Sequence, residues 1–143
     1  MFPIGFTYDN ELLLEDGAGT ITTPAAGSIA QIDVGEGLFI GCVVVDVSAM
    51  DTGTGDEVYS LEVQGSTVSG MATEKVQLAA KTLGDATQLA ADADAGVGRH
   101  VIPFVNIDEN GELQRYVRLY FNTSGTTPII TCVAFAAKFP GSD

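Results

Sequence analysis

Residues 98–139 constrain the fold of this 143-residue chain most, because they contain three apolar runs separated by two turns. The first turn is centred on Asn110-Gly111. An Asn-Gly pair between apolar runs favours a two-residue hairpin in which both central residues have positive φ. The second turn comprises residues 123–128, Thr-Ser-Gly-Thr-Thr-Pro. We therefore predict three consecutive antiparallel strands joined by turns, in a protein of the all-β class.

Two strands are predicted to be apolar on both faces. Residues 38–47 and 129–139 carry aliphatic or aromatic side chains at odd and even positions alike. Such runs are typical of strands that are buried on both sides. Residues 57–64 differ, because Tyr59, Leu61 and Val63 alternate with polar side chains, which indicates a half-solvated antiparallel strand.

The remaining apolar runs complete a count of about eight short strands. Leu113, Val117, Leu119 and Phe121 are predicted to face inward, and Pro103 predicts an edge strand or a bulge because proline lacks a donor N–H. Evenly spaced turns between short strands favour a single antiparallel, jelly-roll-like β-sandwich, which we place at residues 24–143. The further predicted strands are residues 28–34 and 99–106, with a break at residues 24–27. Residues 74–80 would suit a helix by their alanine content, but their alternation and context favour a strand.

Residues 1–23 are predicted to form an irregular N-terminal arm. This segment mixes three aromatic residues and a short leucine run with acidic residues, and the run is too short for a stable isolated helix. One interpretation is an arm that packs against a partner subunit. The other is an edge strand folded onto its own domain.

The charge of the chain is one-sided. Nineteen acidic residues oppose six basic ones, which gives a formal net charge of −13, and the basic residues form no cluster. Such a surface repels phosphate backbones and anionic lipids. We therefore expect no nucleic-acid or membrane partner, and a protein partner is expected to be neutral or basic.

The two cysteines, Cys42 and Cys132, lie in apolar runs, where a free thiol behaves as a small hydrophobic group. We predict two reduced core cysteines, although a disulfide would form if the fold brought their Cβ atoms close. With one histidine and no nucleotide-binding fingerprint, no metal or other cofactor is expected. The sequence has no membrane-length apolar segment and no basic secretory leader, so we expect cytoplasmic synthesis.

One tripeptide matches a catalytic motif. Residues 51–53, Asp-Thr-Gly, resemble the catalytic tripeptide of aspartic proteases, which need two such carboxylates, here supplied by a homodimer. A dimeric protease that uses Asp51 is thus one alternative function. The Ile/Leu-Gly strand end expected downstream comes much too early, at residues 83–84, so a simple turn is the preferred interpretation.

Other polar residues are expected to have structural roles. Residues 92–94 and 108–112 carry oxygen ligands suited to Ca²⁺, but neither stretch has the spacing of a calcium loop, and we predict solvated turns. His100 is expected to be structural. A sandwich buries one face of each sheet, so the second apolar face of residues 38–47 and 129–139 must be covered by the arm, loops or another subunit. This favours a non-enzymatic assembly protein.

Four segments carry a resemblance to a known family: residues 56–66 (DEVYSLEVQGS), 98–106 (GRHVIPFVN), 116–119 (YVRL) and 125–130 (GTTPII). They resemble the small capsid cement, or decoration, proteins of tailed bacteriophages, of the type found on a Bordetella phage. The resemblance extends from about residue 29 to residue 139. It implies a jelly-roll homodimer that is made in the host bacterial cytoplasm and attaches to the outer capsid surface of the virion. There it would bridge major capsid proteins and resist the pressure of packaged DNA.

The family carries no catalytic motif, so the predicted interface rests on the two-faced strands and the aromatic arm. The predicted interface residues are Phe2, Phe6, Tyr8, Leu12, Leu14, Tyr116, Arg118, Tyr120, Phe135 and Phe139. A second alternative function is a jelly-roll carbohydrate- or receptor-binding module of a phage particle, for which Tyr116 and Tyr120 are the paired aromatic candidates.

Overall fold

The computed structural model describes residues 10–90 and 96–138. Over these residues the chain is almost entirely β-structure, with one short 3-10 turn (Asn10–Leu12) and one four-residue helix, α1 (Ala86–Leu89). The strands are β1 (Leu13–Glu15), β2 (Ala25–Ala26), β3 (Ile32–Asp33), β4 (Ile40–Met50), β5 (Val58–Ser66), β6 (Val76–Gly84), β7 (Gly98–Val105), β8 (Tyr116–Ser124) and β9 (Ile130–Lys138).

The strands form two antiparallel sheets with the orders β1-β9-β4-β7 and β2-β8-β5-β6, and β3 also pairs with β8. The pairs β1·β9, β2·β8, β4·β7 and β5·β6 are nested in the sequence. The pair β4·β9 joins the two strand pairs of the first sheet, and β5·β8 joins those of the second. A long antiparallel ladder wrapped into two facing sheets is a jelly roll, so the predicted all-β, jelly-roll-like sandwich is confirmed.

The predicted run of three consecutive paired strands is wrong. β7 and β9 flank β4 in one sheet, whereas β8 lies in the facing sheet beside β5. The alternation of apolar residues predicts which side of a strand is buried, but it does not distinguish the two sheets of a sandwich. Both connections therefore cross from one sheet to the other instead of forming hairpins.

The Asn110-Gly111 turn also differs from the prediction. Gly111 has a φ of 83°, but Asn110 does not have the positive φ that a two-residue hairpin requires. The carboxylate of Asp108 accepts hydrogen bonds from the N–H groups of Asn110 (2.9 Å) and Glu112 (2.8 Å). An aspartate side chain thus organises a wider turn on the way from β7 to β8.

The core lies between the two sheets and is formed by alternate residues of the long strands. Tyr59, Leu61 and Val63 of β5 are completely buried, as predicted. Val117, Leu119 and Phe121 of β8 are buried as well, but Leu113 is exposed because β8 begins only at Tyr116. Other members of this core are Val43, Val45, Val47, Leu83, Ile102, Phe104, Ile130, Cys132, Ala134 and Ala136.

β4 and β9 are buried on both faces, which confirms the prediction from their composition. Besides their core-facing residues, they contribute a second buried cluster on the opposite side of the sheet. Val44 is the cross-strand partner of both Phe135 and Val101, which places the three side chains in one row. The buried members of this cluster are Cys42, Val44, Phe135 and Ala137.

The segment between Ala25 and Asp33 forms two short strands, although we predicted a break at residues 24–27 and a strand at 28–34. β2 and β3 both pair with β8, and the chain leaves β8 between them. There the N–H of Ile29 donates to the carbonyl of Leu14 in β1 (3.2 Å). A Cβ at Gly27 would meet that same carbonyl oxygen, so the close approach to β1 requires glycine.

Other local predictions hold. β7 is the edge strand of its sheet and carries Pro103, as its missing N–H predicted. Residues 74–80 contribute to a strand, which continues to Gly84. Asp85 then caps helix α1 through a hydrogen bond from the N–H of Thr87 (2.8 Å). The predicted turn at residues 92–96 lies outside the described residues except for Gly96.

The two cysteines are free and buried, as predicted. Cys42 pairs with Ala137 and Cys132 pairs with Val47, so the thiols lie five residues apart along neighbouring strands, about 17 Å. Cys132 belongs to the core between the sheets, whereas Cys42 belongs to the cluster on the outer side. A disulfide between them is incompatible with this fold.

Candidate interaction surfaces

An apolar patch lies at one end of the sheet that contains β4 and β7. Its members are aliphatic side chains that remain between 37% and 53% exposed: Leu38, Ile40, Val105, Ile107 and Leu113. Exposed aliphatic residues are ordinary when they are scattered, but a contiguous group marks an interaction surface. We refer to these five residues as the apolar patch.

The strand register shows that the patch is contiguous. Ile40 is the cross-strand partner of Val105, and Ile107 forms a bridge with Leu113. Leu38 precedes Ile40 by two residues, and Ile107 follows Val105 by two, so each pair shares one side of the backbone. The five side chains therefore face the same way, at cross-strand spacings of about 5 Å.

Buried polar groups fix the backbone under the patch. Asn106 is completely buried between Val105 and Ile107, and its side-chain oxygen accepts the N–H of Phe39 (2.7 Å). Its amide nitrogen donates to the carbonyl groups of Gly37 (3.0 Å) and Gln114 (3.1 Å). One side chain thus ties together the three segments that carry the patch. A surface held in this way loses little conformational entropy on binding.

A second candidate surface is the outer face of β8, where Tyr116, Arg118 and Tyr120 follow one another at every second position. The guanidinium of Arg118 lies 5.3 Å from the centre of the Tyr120 ring. Its Nε donates to Oε1 of Gln64 (2.8 Å), and the Gln64 amide in turn donates to Glu62 (3.3 Å). We refer to Tyr116, Arg118 and Tyr120 as the tyrosine row.

Two arginine side chains, Arg99 and Arg115, form ion pairs at the borders of the sheets. On the outer side of β4 and β7, Arg99 binds Asp46 through two hydrogen bonds of 2.7 and 2.8 Å. Arg99 thereby lowers the pKa of the Asp46 carboxyl group. Arg115, directly before β8, makes the corresponding pair of hydrogen bonds to the two carboxylate oxygens of Asp33 (3.0 and 2.9 Å), and these lower the pKa of Asp33. The Arg99–Asp46 pair thus lies beyond Val44 and Val101 on the outer face of β4 and β7, and Arg115 directly precedes the tyrosine row.

The predicted interface residues lie in three different environments. The tyrosine row brings Tyr116, Arg118 and Tyr120 together on one half-exposed face. Leu14 is completely buried in the core, and Leu12 packs against that core. Phe135 is buried in the second cluster of its own chain. The remaining predicted residues lie outside the described part of the chain: Phe2, Phe6, Tyr8 and Phe139.

The described part of the N-terminal arm lies on its own domain. β1 is the edge strand beside β9, and Ile21 forms a bridge with Ile130 through hydrogen bonds of 2.9 and 3.1 Å. Glu15 is almost fully buried, and its carboxylate accepts the N–H of Ser28 (2.7 Å). Residues 13–15 thus form an edge strand on their own domain, which agrees with the second interpretation of the arm, and Ile21 makes an isolated bridge to the same strand region.

The residues considered for catalysis or metal binding have local partners. The carboxylate of Asp51 accepts the N–H of Gly53 (2.8 Å), which is the turn that its sequence favours. The ring of His100 lies against the carbonyl of Gly96, with Nε2 at 2.6 Å. Across the described ranges, no three His, Cys, Asp or Glu side chains come together in a way that could hold a metal ion.

No described helix has the length and apolar character needed to cross a membrane.

No family model matches the sequence, and no curated protein matches it. The geometry of the two surfaces, together with the sequence patterns, is therefore the basis for a functional proposal.

The sequence patterns did not reveal the apolar patch. The sequence predicts buried positions for Leu38, Ile40 and Leu113, because they continue the alternation of neighbouring strands. Leu38 and Leu113 are exposed because they precede β4 and β8, and Ile40 is exposed as the first residue of β4. The interruption of alternating aliphatic residues by Asn106 and Gln114, two polar residues at inward positions, is the pattern that could have indicated an exposed aliphatic face here.

Proposed function

We propose that this chain is a non-enzymatic capsid cement protein that binds the outer surface of a phage head and stabilises the lattice of the major capsid protein. The observation that carries the proposal is the apolar patch on a backbone fixed by Asn106. A rigid aliphatic surface is suited to permanent contact with another protein. On a lattice, many copies of a modest contact add up to a large stabilisation.

Two further properties support this function. The resemblance to phage cement proteins implies a jelly roll, and this chain has that fold. The resemblance lies in residues 56–66, 98–106, 116–119 and 125–130. The net charge of −13 also suits the outside of a head better than the inside, where the protein would face packaged DNA. We further propose that the chain acts as a homodimer, as in the family that it resembles.

The test uses heads of the phage that encodes this chain, prepared from a strain in which its gene is deleted. Purified chain added to these heads is expected to bind at saturating, lattice-defined positions in cryo-electron micrographs. It is also expected to raise the temperature at which the heads release DNA. Heads that remain undecorated at micromolar chain, and that release DNA at an unchanged temperature, contradict the proposal.

The tyrosine row favours a second candidate function, the binding of a carbohydrate on a host cell. Tyr116 and Tyr120 stand on the same face with Arg118 between them, and aromatic rings beside hydrogen-bonding groups are suited to sugar rings. On a glycan array, Tyr120→Ala and Tyr116→Ala are expected to abolish binding under this alternative, whereas Tyr59→Phe is not. An array without bound glycans contradicts it.

A further inference from the structure

Acidic residues border the apolar patch. One of them lies two positions before Leu38, and others directly adjoin Ile107 and Leu113 in the sequence. Each is solvent-accessible, and the side chain of Glu36 is 85% exposed. We refer to these residues as the acidic rim: Glu36, Asp108, Glu109 and Glu112.

Three basic residues lie close to the same end of the sheet, and they leave the border acidic. Lys75 lines one pocket together with Asp108 and Glu112, beside the acidic Glu74. Arg115 is ion-paired with both Asp33 (2.9 Å) and Glu36 (3.0 Å), so its charge is already matched. Lys138 lies at the end of β9, with its Nζ 6.0 Å from the ring centre of Phe39. With Asp33 and Glu74 added to the four residues of the rim, six acidic residues adjoin these three cations, and the whole chain carries −13.

This distribution of charge disfavours pairing of the patch with itself. In a two-fold symmetric contact the same surface occurs on both subunits, so an apolar centre would meet its copy and the acidic rims would face each other. Like charges brought together at an interface are unfavourable, and a partly desolvated rim increases the repulsion. A symmetric dimer of this chain therefore has to use another surface.

The size of the patch makes the rim important for binding. A stable interface buries about 800 Å² on each partner, which exceeds what five partly exposed aliphatic side chains offer. The surrounding polar surface must therefore take part in a stable contact. For a rim of carboxylates, the complementary border consists of Lys and Arg side chains, because opposite charges across an interface favour association.

We propose that the apolar patch docks a different protein chain, one whose surface has an apolar centre bordered by lysine and arginine. This inference rests on the proposed capsid function, because it gives the chemistry of the capsid surface that the chain would recognise. Two features of the molecule carry it: the contiguous aliphatic side chains above Asn106, and the acidic rim around them. A homodimer that uses another surface would keep the patch accessible to the lattice.

The test measures binding of purified chain to the heads that lack it, at low and high ionic strength. Leu38→Ser with Ile107→Ser is expected to weaken binding about tenfold or more, because it removes the centre of the patch. Val68→Ser with Val97→Ser is the matched control, since both valines are exposed outside the patch. The control is expected to bind like the wild-type chain.

Charge is tested separately. Glu112→Lys is expected to weaken binding several-fold, because it places a positive charge opposite the basic border of the partner. Raising the salt concentration from about 50 to 500 mM is expected to weaken wild-type binding, because salt screens the attraction between opposite charges. Asp16→Lys changes the net charge equally at the end of β1, beyond the patch, and is expected to leave binding unchanged.

The outcomes separate the two proposals. If the wild-type chain does not bind the heads, the capsid function falls, and this inference with it. If the wild-type chain binds and the patch variants bind equally well, the capsid function stands and the patch proposal is overturned. Sedimentation adds one more outcome: if Leu38→Ser with Ile107→Ser turns a wild-type dimer into a monomer, the patch binds a second copy and the proposal is also wrong.

Discussion

The hydroxyl group of Tyr59 accepts a hydrogen bond from the backbone N–H of Ile129 at 3.0 Å, which joins the two sheets of the sandwich. Tyr59 belongs to β5, and Ile129 directly precedes β9 in the facing sheet. The same hydroxyl donates to the carbonyl of Asp51, just after β4, at 2.6 Å. The ring of Tyr59 is completely buried, and its hydroxyl group reaches the place in the other sheet where β4 ends and β9 begins.

Tyr59→Phe is expected to lower the free energy of unfolding by about 1–2 kcal/mol, because it leaves the N–H of Ile129 without its acceptor. The ring would stay in the core, so the fold is retained. Urea denaturation followed by circular dichroism measures the change. Tyr120→Phe removes a hydroxyl from a half-exposed ring and is the control, with an expected change below about 0.5 kcal/mol. Equal effects of the two substitutions would show that the Tyr59 hydroxyl adds nothing.

Asn106→Leu is expected to destabilise the protein more, by about 2–4 kcal/mol. The substitution would leave three backbone groups without their partner: the N–H of Phe39 and the carbonyls of Gly37 and Gln114. Urea denaturation is again the measurement, with Asn122→Leu on the exposed face of β8 as the control. A loss for Asn106→Leu no greater than that of the control contradicts the supporting role of Asn106 under the patch.

The stability of the protein is expected to fall in acid through Glu57. Its buried carboxylate accepts a hydrogen bond from the Thr54 hydroxyl and from the N–H groups of Thr54 (3.0 Å), Gly55 (3.0 Å) and Asp56 (3.2 Å). The hydroxyl of Thr54 in particular holds the pKa of Glu57 below its ordinary 4.5. Because the folded pKa is the lower one, the stabilisation is complete above pH 4.5 and is lost as the pH falls through the folded value.

Removing that hydroxyl should therefore flatten the acid side of the stability profile. Thr54→Val is expected to reduce the fall in unfolding free energy between pH 7 and about pH 3, measured by urea denaturation at each pH. Thr82→Val, on the exposed side of β6, is the control and is expected to follow the wild-type profile. A Thr54→Val profile that parallels the wild type would show that other carboxyl groups dominate acid unfolding.

The thiols of Cys42 and Cys132 are expected to be unreactive in the folded protein. Burial raises the pKa of both groups, and that of Cys132 to about 12, so almost no thiolate forms at neutral pH. Reaction with a thiol reagent should be slower than in urea by on the order of a thousandfold or more. Mass spectrometry after mild oxidation should show no intramolecular disulfide. A disulfide formed without unfolding contradicts the strand register.

Local features of the fold could be predicted from the sequence better than its topology. The burial of β4 and β9 on both faces follows from their composition, and the edge position of β7 follows from Pro103. The pairing of β9 between β1 and β4 could not be predicted, because it depends on contacts between residues eighty or more positions apart. A strand of period two fits either sheet of a sandwich equally well.

The candidate site was harder to predict for a related reason. Asn106, Gln114 and Glu57 are polar residues in or next to loops, where solvation is the ordinary expectation. Asn106 is buried because backbone groups of distant segments, at Gly37 and Phe39, converge on its side chain. Glu57 and Gln114 are buried with partners in their own loops. Without knowledge of that convergence, the aliphatic residues beside Asn106 look like core residues, and the patch that they form stays hidden.

The central position of β9 has a consequence for synthesis on the ribosome. β9 lies between β1 and β4, yet it follows both of them in the chain. Until it emerges from the exit tunnel, β4 lacks a neighbour along one side, and both of its apolar faces remain open to water. The sandwich can therefore close only after residues 130–138 have been released. During that interval the nascent chain exposes an aggregation-prone strand that the finished protein conceals.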